Sequence, residues 1–282
     1  MIQILADSTC DLSPELVERY HIDILPLSVI LGESVYTDGV DISQAEIYEW
    51  SDRTKETPKT AVFPVDKVVK KFRTYVERGD ELICFCISES MSASGQVMRM
   101  AAEELNAADR IHVIDSQNLS TGIGLLILRA ADLAAQGLPC DEVVRQVEAT
   151  RSRVRASFVV DTLTYLHRGG RCSGAAALMG GMLKLHPKIV VENGGMRPDT
   201  KFRGSMKRSL DRYVEELMPA IRNAEPDRVF VTHTCQDQTL VEPVKETLRA
   251  MNYFGEILET RAGCVVSSHC GPNTLGVLFI SK

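Results

Sequence analysis

Short apolar runs, polar turns and helical periodicities follow one another along most of the chain. Strand-like runs occur in IQILADSTCDLS (2–13), ELICFCISESMSAS (81–94), IHVIDSQNLSTG (111–122) and RVFVTHTCQD (228–237). Each passes into a turn rich in Ser, Thr or Asp. The first and third share an Asp-Ser pair after the run, Asp7-Ser8 and Asp115-Ser116, as related strand-to-helix turns would. Helical patterns lie between them. Ser13-Pro14 predicts a capped helix start with proline at its first position. Ser43 and Glu46 predict a capping box. Val65, Val68, Val69, Phe72 and Val76 line one helical face that Gly79 closes. Leu210, Val214, Leu217, Met218 and Ile221 line a second face, and Leu240, Val241, Val244, Leu248 and Met251 a third. The segment TPKTAVFPVD (57–66), with two prolines, reads as a loop. HRGGRCSGAAALMGGMLKLHPK (167–188) breaks the rhythm with glycine, small residues and methionine.

Strands alternating with helices predict an α/β protein with mixed or parallel sheets. A boundary near residue 155 divides the chain into an N-terminal α/β domain, 1–155, and a C-terminal one, 156–282. No low-complexity linker marks it, so the two domains are expected to pack closely.

Composition narrows the partners. The chain has 282 residues, 44% hydrophobic and 25% charged, with a net charge of −6. That balance argues against a nucleic-acid surface. No apolar run is long enough to span a bilayer, so no membrane insertion is expected. The start, MIQILADSTC, lacks the basic and apolar regions of a signal peptide. Eight cysteines contain no C-x-x-C pair and read as reduced thiols in a cytoplasm. Cys84 and Cys86 have strand spacing and share a face.

In open α/β sheets, ligands sit beyond the C-terminal ends of the strands. The turns there supply Asp7, Ser8 and Thr9; Ser88, Ser90, Ser92 and Ser94; Asp115 and Ser116; Thr232 and His233. The late segment SSHCGPNTLGVLFIS adds Ser268 and His269. One reading is a serine hydrolase or acyltransferase, with Ser92 or Ser94 as nucleophile, His269 as base and Asp7 or Asp115 as orienting group. The G-x-S-x-G elbow is absent, because position 90 is serine. Walker A and G-x-G-x-x-G loops are also absent. The six histidines show no ligand spacing, so no metal site or cofactor is expected. What remains is an anion cradle: hydroxyls and free N–H groups at a strand-to-helix turn suit a carboxylate or phosphate. Capping of the next helix is the competing use of each serine.

The blocks ADSTCDL (6–12), YTDGVDI (36–42), PKTAVFP (58–64), ISESMSASGQ (87–96), VIDSQNLSTGIG (113–124), LTYLHRGGRCSG (163–174), KFRGSMKR (201–208) and SSHCGPNTLGVLF (267–279) resemble, in order and spacing, those of the DegV family of bacterial fatty-acid-binding proteins. The resemblance covers about residues 2–281. It implies a fatty acid buried between two domains, its carboxylate held by a threonine and a serine that fall on Thr60 and Ser92. It implies that His269 lies near the carboxylate and that Arg171 belongs to the site. It implies that the last segment, about 264–281, returns to the domain interface. Arg203 matches an arginine that serves a fatty-acid kinase partner, which phosphorylates the bound acid. On this reading the protein is the lipid-binding subunit, not an enzyme, and carries the acyl phosphate towards phospholipid synthesis. GAAALMGGMLKL (174–185) is expected to line the acyl tunnel. Two departures stand out. Ala93 takes the place of a usual glycine and narrows the approach of backbone to ligand. Asn273 also replaces a usual glycine. Asp38-Gly39 reads as a turn without chemistry.

Overall fold

The computed structural model describes residues 1–175 and 185–282. Three sheets organise them. Strands β1 (Ile2–Asp7), β2 (Asp23–Leu25), β6 (Glu81–Cys86) and β7 (Ile111–Asp115) form a parallel sheet in the order β2-β1-β6-β7. Strands β3 (Ser28–Leu31), β4 (Ser34–Thr37) and β5 (Lys59–Ala61) form a small antiparallel sheet. The third sheet is mixed, in the order β10-β9-β8-β13-β11-β12. It contains β8 (Val154–Val159), β9 (Leu185–Glu192), β10 (Gly195–Arg203), β11 (Ala224–His233), β12 (Glu256–Arg261) and β13 (Leu275–Ser281). Every strand before Val154 belongs to the first two sheets and every strand from it onward to the third.

Strand β5 corrects the expectation of a loop over 57–66. Thr60 pairs with Val29 in an antiparallel register. Pro58 and Pro64 flank this strand rather than occupy it, so neither removes a ladder donor. A three-residue edge strand fits between them.

The parallel connections run through helices, as crossovers between parallel strands require. They are α1 (Pro14–Arg19), α2 (Gln44–Thr54), α3 (Val65–Val76) and α4 (Ser94–Glu104), while α5 (Thr121–Ala135) and α6 (Cys140–Arg151) lead from β7 to β8 of the mixed sheet. The later helices are α7 (Thr164–Gly169), α8 (Met206–Ile221), α9 (Glu242–Ala250) and α10 (Cys264–Cys270). The caps form where the sequence placed them. Ser13 Oγ accepts from Leu16 N–H, and Ser43 and Glu46 complete a reciprocal capping box. Gly79 follows α3 at φ +82°, a conformation only glycine adopts without strain.

The sheets are stacked through helices. One face of the parallel sheet packs against α3 and α4, through residues such as Phe72 and Met98. Its other face packs on α5, which is buried almost all round. Ile4, Ile83 and Ile114 meet α5 from the parallel sheet, while Ala156, Phe230 and Leu278 meet it from the mixed sheet. A helix apolar on every side is what a position between two sheets demands. Gly124 allows α5 to approach the turn after β1: a Cβ there would stand 2.8 Å from a Leu12 methyl. The far face of the mixed sheet is covered by α8 and α9. Tyr213 of α8 pins that layer. Its hydroxyl donates to Ser157 O at 2.7 Å and accepts from Val277 N–H at 2.9 Å. Most of the segment 174–185 lies outside the described residues.

Candidate functional site

The serines after β6 divide their work. Ser88 Oγ lies 3.1 Å from Ser90 Oγ, and Ser90 Oγ donates to Gly194 O at 2.5 Å, tying this turn to the β9–β10 hairpin. Ser94 Oγ donates to Asp7 Oδ2 at 2.7 Å and is fully buried. Ser92 Oγ accepts from Ser94 N–H at 3.3 Å, so its own proton stays uncommitted within the turn. Asp7 is the anchor. Its oxygens also accept from Thr9 N–H and Oγ1 and from Ile87 N–H. Burial pushes its carboxyl above the usual range, against the lowering effect of those hydrogen bonds. Asp115 repeats the local motif, accepting from Gln117 N–H at 2.9 Å as Asp7 accepts from Thr9 at 3.1 Å.

Beyond these turns lies a cavity of about 270 Å³. Thr60, Ser92, Ala93, Arg171 and His269 line it together, although they come from four separate stretches of chain. Its walls are otherwise mostly apolar, with Ile87, Met91, Leu119, Met196, Val265 and Val266 among them. A thinner void of about 30 Å³ shares Leu119, Val266 and Cys270 with it and continues towards Phe158 and Leu278 of the mixed sheet.

The polar end is built around one pair. Thr60 Oγ1 lies 3.0 Å from His269 Nε2. His269 Nδ1 is buried against Gly169 and has no hydrogen-bond partner. Burial pushes the imidazole pKa down to about 4, and the nearby Arg171 charge adds to that effect. The ring is therefore neutral at physiological pH. Arg171 is exposed and donates to Gly169 O at 2.6 Å, so it ties its own turn while facing the cavity. Neither Ser92 nor Ser94 is the hydroxyl paired with His269; that hydroxyl is Thr60's.

Helix α10, which carries His269, is clamped from the N-terminal half of the chain. Gly263 N–H donates to Asp11 Oδ1 at 2.7 Å and Cys264 N–H to Asp38 Oδ1 at 2.8 Å. Ser120 donates to Asp11 and Ser8 to Asp38. Burial raises the pKa of both acids. A Cβ on Gly263 would stand 3.1 Å from Asp11 and 3.3 Å from Asp38, so the helix start must be bare to receive two carboxylates. Asp38, read from sequence as a turn residue, is thus a buried helix cap. Its partner lies 226 positions away, which no local pattern could announce.

Ala93 adopts φ −90°, which needs no glycine, and lines the cavity. Asn273 sits at φ +54°, the left-handed region that asparagine tolerates best after glycine, and donates to Asp161 at 3.1 Å. Arg203 stands apart from the cavity. It ends β10, about 20 Å along the strand from the cavity-lining Met196 at ~3.3 Å per residue. The cavity residues that sequence reading did not single out are the apolar ones, Met91, Leu119 and Met196 among them. Nothing distinguishes them locally from core positions. Among the described residues no helix is long and apolar enough to cross a membrane.

A parallel sheet with serine and threonine turns at its carboxyl edge, facing an apolar cavity capped by a late helix, defines a class of α/β fold with a cavity at its strand ends. A family model described as "Uncharacterised protein, DegV family" matches residues 1–282, and the chain belongs to this family. A DegV domain-containing protein of Clostridium perfringens is 32% identical over 281 residues, covering 100% of this chain and 99% of that one. A DegV family protein from Thermus thermophilus, solved in a study of its fatty acid binding, superposes with a TM-score of 0.90 at 29% identity. It covers 100% of this chain and 99% of that one. A stearic-acid-binding protein from Eubacterium ventriosum superposes with a TM-score of 0.85 at 30% identity, covering 100% of this chain and 99% of its own.

Proposed function

We propose that this protein binds one long-chain fatty acid, presents its carboxylate to a fatty-acid kinase, and carries the resulting acyl phosphate. The carboxylate rests on Thr60 and Ser92, and the acyl chain enters the apolar cavity and continues between the two large sheets. The observation that carries the reading is the Thr60–His269 pair at the polar end of that cavity. A neutral imidazole with its proton on Nε2 donates to Thr60 Oγ1, which frees the threonine proton for a carboxylate oxygen. Ser92 has a free proton for the same oxygen or its neighbour. A buried carboxylate needs such donors, and hydroxyls supply them without locking it in a salt bridge. Arg171 adds positive charge at the exposed side of the site. Each buried methylene contributes about 0.8 kcal/mol, so a long chain dissociates slowly.

The transfer step requires a nucleoside triphosphate held by the kinase. A carboxylate oxygen attacks its terminal phosphorus, a new O–P bond forms, and the bond to the departing diphosphate breaks. Here the protein supplies binding and orientation, and the partner the nucleotide chemistry. Arg203, exposed in the basic run KFRGSMKR, belongs to the face offered to that partner. The reading places the protein in the cytoplasm, and its eight free, buried cysteines suit a reducing compartment.

Titration of delipidated protein with a long-chain fatty acid, followed by calorimetry, tests the binding reading. Saturable uptake of one equivalent is expected; no uptake by folded protein overturns it. With a fatty-acid kinase present, Arg203→Ala is expected to keep lipid affinity and slow acyl phosphate formation. Equal rates would remove the role given to Arg203.

A further inference from the structure

Away from the cavity, at the amino edge of the parallel sheet, three metal-ligating side chains converge. Glu81 opens β6, His112 is the second residue of β7, and Cys140 is the first residue of α6. A carboxylate oxygen, an imidazole nitrogen and the Cys140 sulfur all lie within 4.8 Å of one another. His112 Nε2 is buried and has no hydrogen-bond partner. Asp141 Oδ1 stands 3.9 Å from that nitrogen, on a side chain 93% exposed. Cys140 itself is buried, at 2% exposure.

We propose that Glu81, His112 and Cys140 form a binding site for a borderline-soft divalent cation, zinc foremost. A thiolate, an imidazole and a carboxylate are the ligand types zinc takes, and a tetrahedral site sets its ligand atoms about 3.3–3.8 Å apart. The three groups therefore need to close by only about 1 Å around an ion. The ion supplies the partner that His112 Nε2 lacks. Binding displaces the Cys140 thiol proton to solvent; the imidazole binds neutral and the carboxylate ionised. The fourth position opens towards Asp141 and water. No spacing motif announces the site, because the ligands come from three elements brought together by the β6–β7 register and the start of α6.

The site ties α6 to β6 and β7, so its role is structural or regulatory. Glu81 opens β6 and the cavity-lining Ile87 directly follows its last residue, about 20 Å away at ~3.3 Å per residue. The ion therefore takes no part in holding the proposed carboxylate.

The test uses the untagged full-length chain, stripped with chelator and titrated with cobalt as a spectroscopic stand-in for zinc. One equivalent is expected to produce a thiolate-to-cobalt charge-transfer band and d–d bands of tetrahedral intensity, both erased by added zinc. Cys140→Ser is expected to abolish the charge-transfer band, while Cys172→Ser leaves it intact. His112→Gln and Glu81→Gln, at partly exposed positions where folding is easily preserved and checked by circular dichroism, are expected to weaken cobalt binding at least about tenfold. Absence of a thiolate band in the wild-type chain, its survival in Cys140→Ser, or wild-type affinity in His112→Gln would overturn the proposal.

Discussion

Three buried carboxylates and three half-buried polar side chains lie close together at the carboxyl edge of the parallel sheet, and the two groups differ in what they leave unspent. Asp7, Asp11 and Asp38 are saturated. Each accepts at least two hydrogen bonds from backbone N–H or hydroxyl donors, and each spans long sequence distances. Thr60, Ser92 and His269 are not saturated: Thr60 and His269 bond to each other alone, Ser92 Oγ accepts from one N–H, and His269 Nδ1 has no partner, all at or beside an apolar cavity. The first set fixes the scaffold, and the second is the one we propose to hold a ligand. A polar group that has already used its bonds stabilises the fold; one that has not is where binding is to be sought.

The largest effect expected from breaking this distinction is on the scaffold side. Asp11→Ala leaves Ser120 and the Gly263 N–H without their acceptor and should cost about 2–4 kcal/mol of stability. Asp11→Asn, which keeps a carbonyl acceptor and removes a carboxyl whose charge the site disfavours, should cost less. Denaturant melts of both variants check this, and equal losses would show that charge, rather than hydrogen bonding, matters at Asp11. Next in size, Thr60→Val should weaken fatty-acid binding by about 1–3 kcal/mol with little change in the melt. Ser92→Ala should fall in the lower part of that range, since the Ser94 N–H it releases can turn to water. If Thr60→Val and Ser92→Ala both bind like wild type, the carboxylate does not lie where we place it.

A smaller effect should appear in pH dependence. His269 has a folded-state pKa of about 4 against an ordinary 6.5. The unfolded chain thus binds more protons between those values, and the histidine makes stability rise with pH across that window. The raised carboxyls of Asp7, Asp11 and Asp38 act in the opposite sense within theirs, because there the folded state binds more protons. The signal is therefore the difference between wild type and His269→Gln. Melts at stepped pH should show the variant losing less stability than wild type on acidification from 6.5 towards 4.

The two sets were unequally legible in the sequence. Strand–turn–helix periodicity, the caps at Ser13 and Ser43 and the buried faces of α3 and α8 follow from local patterning, and all are present. Strand β5 did not follow, because two prolines within ten residues look like a loop until the partner strand β3 is known. The roles of Asp11 and Asp38 were hidden for the same reason: they cap a helix more than 220 positions away. Thr60 and His269 lie 209 positions apart. The family resemblance named both, whereas the Thr60–His269 hydrogen bond and the unpartnered Nδ1 belong only to the three-dimensional structure.

The central claim, that the unsaturated set awaits a fatty-acid carboxylate, is tested most directly by native mass spectrometry of the full-length chain as purified. The account predicts a non-covalent adduct of one long-chain fatty acid per chain, released by organic extraction and much reduced in Thr60→Val. A folded wild-type chain that carries no lipid and takes up none from an added long-chain fatty acid would contradict it.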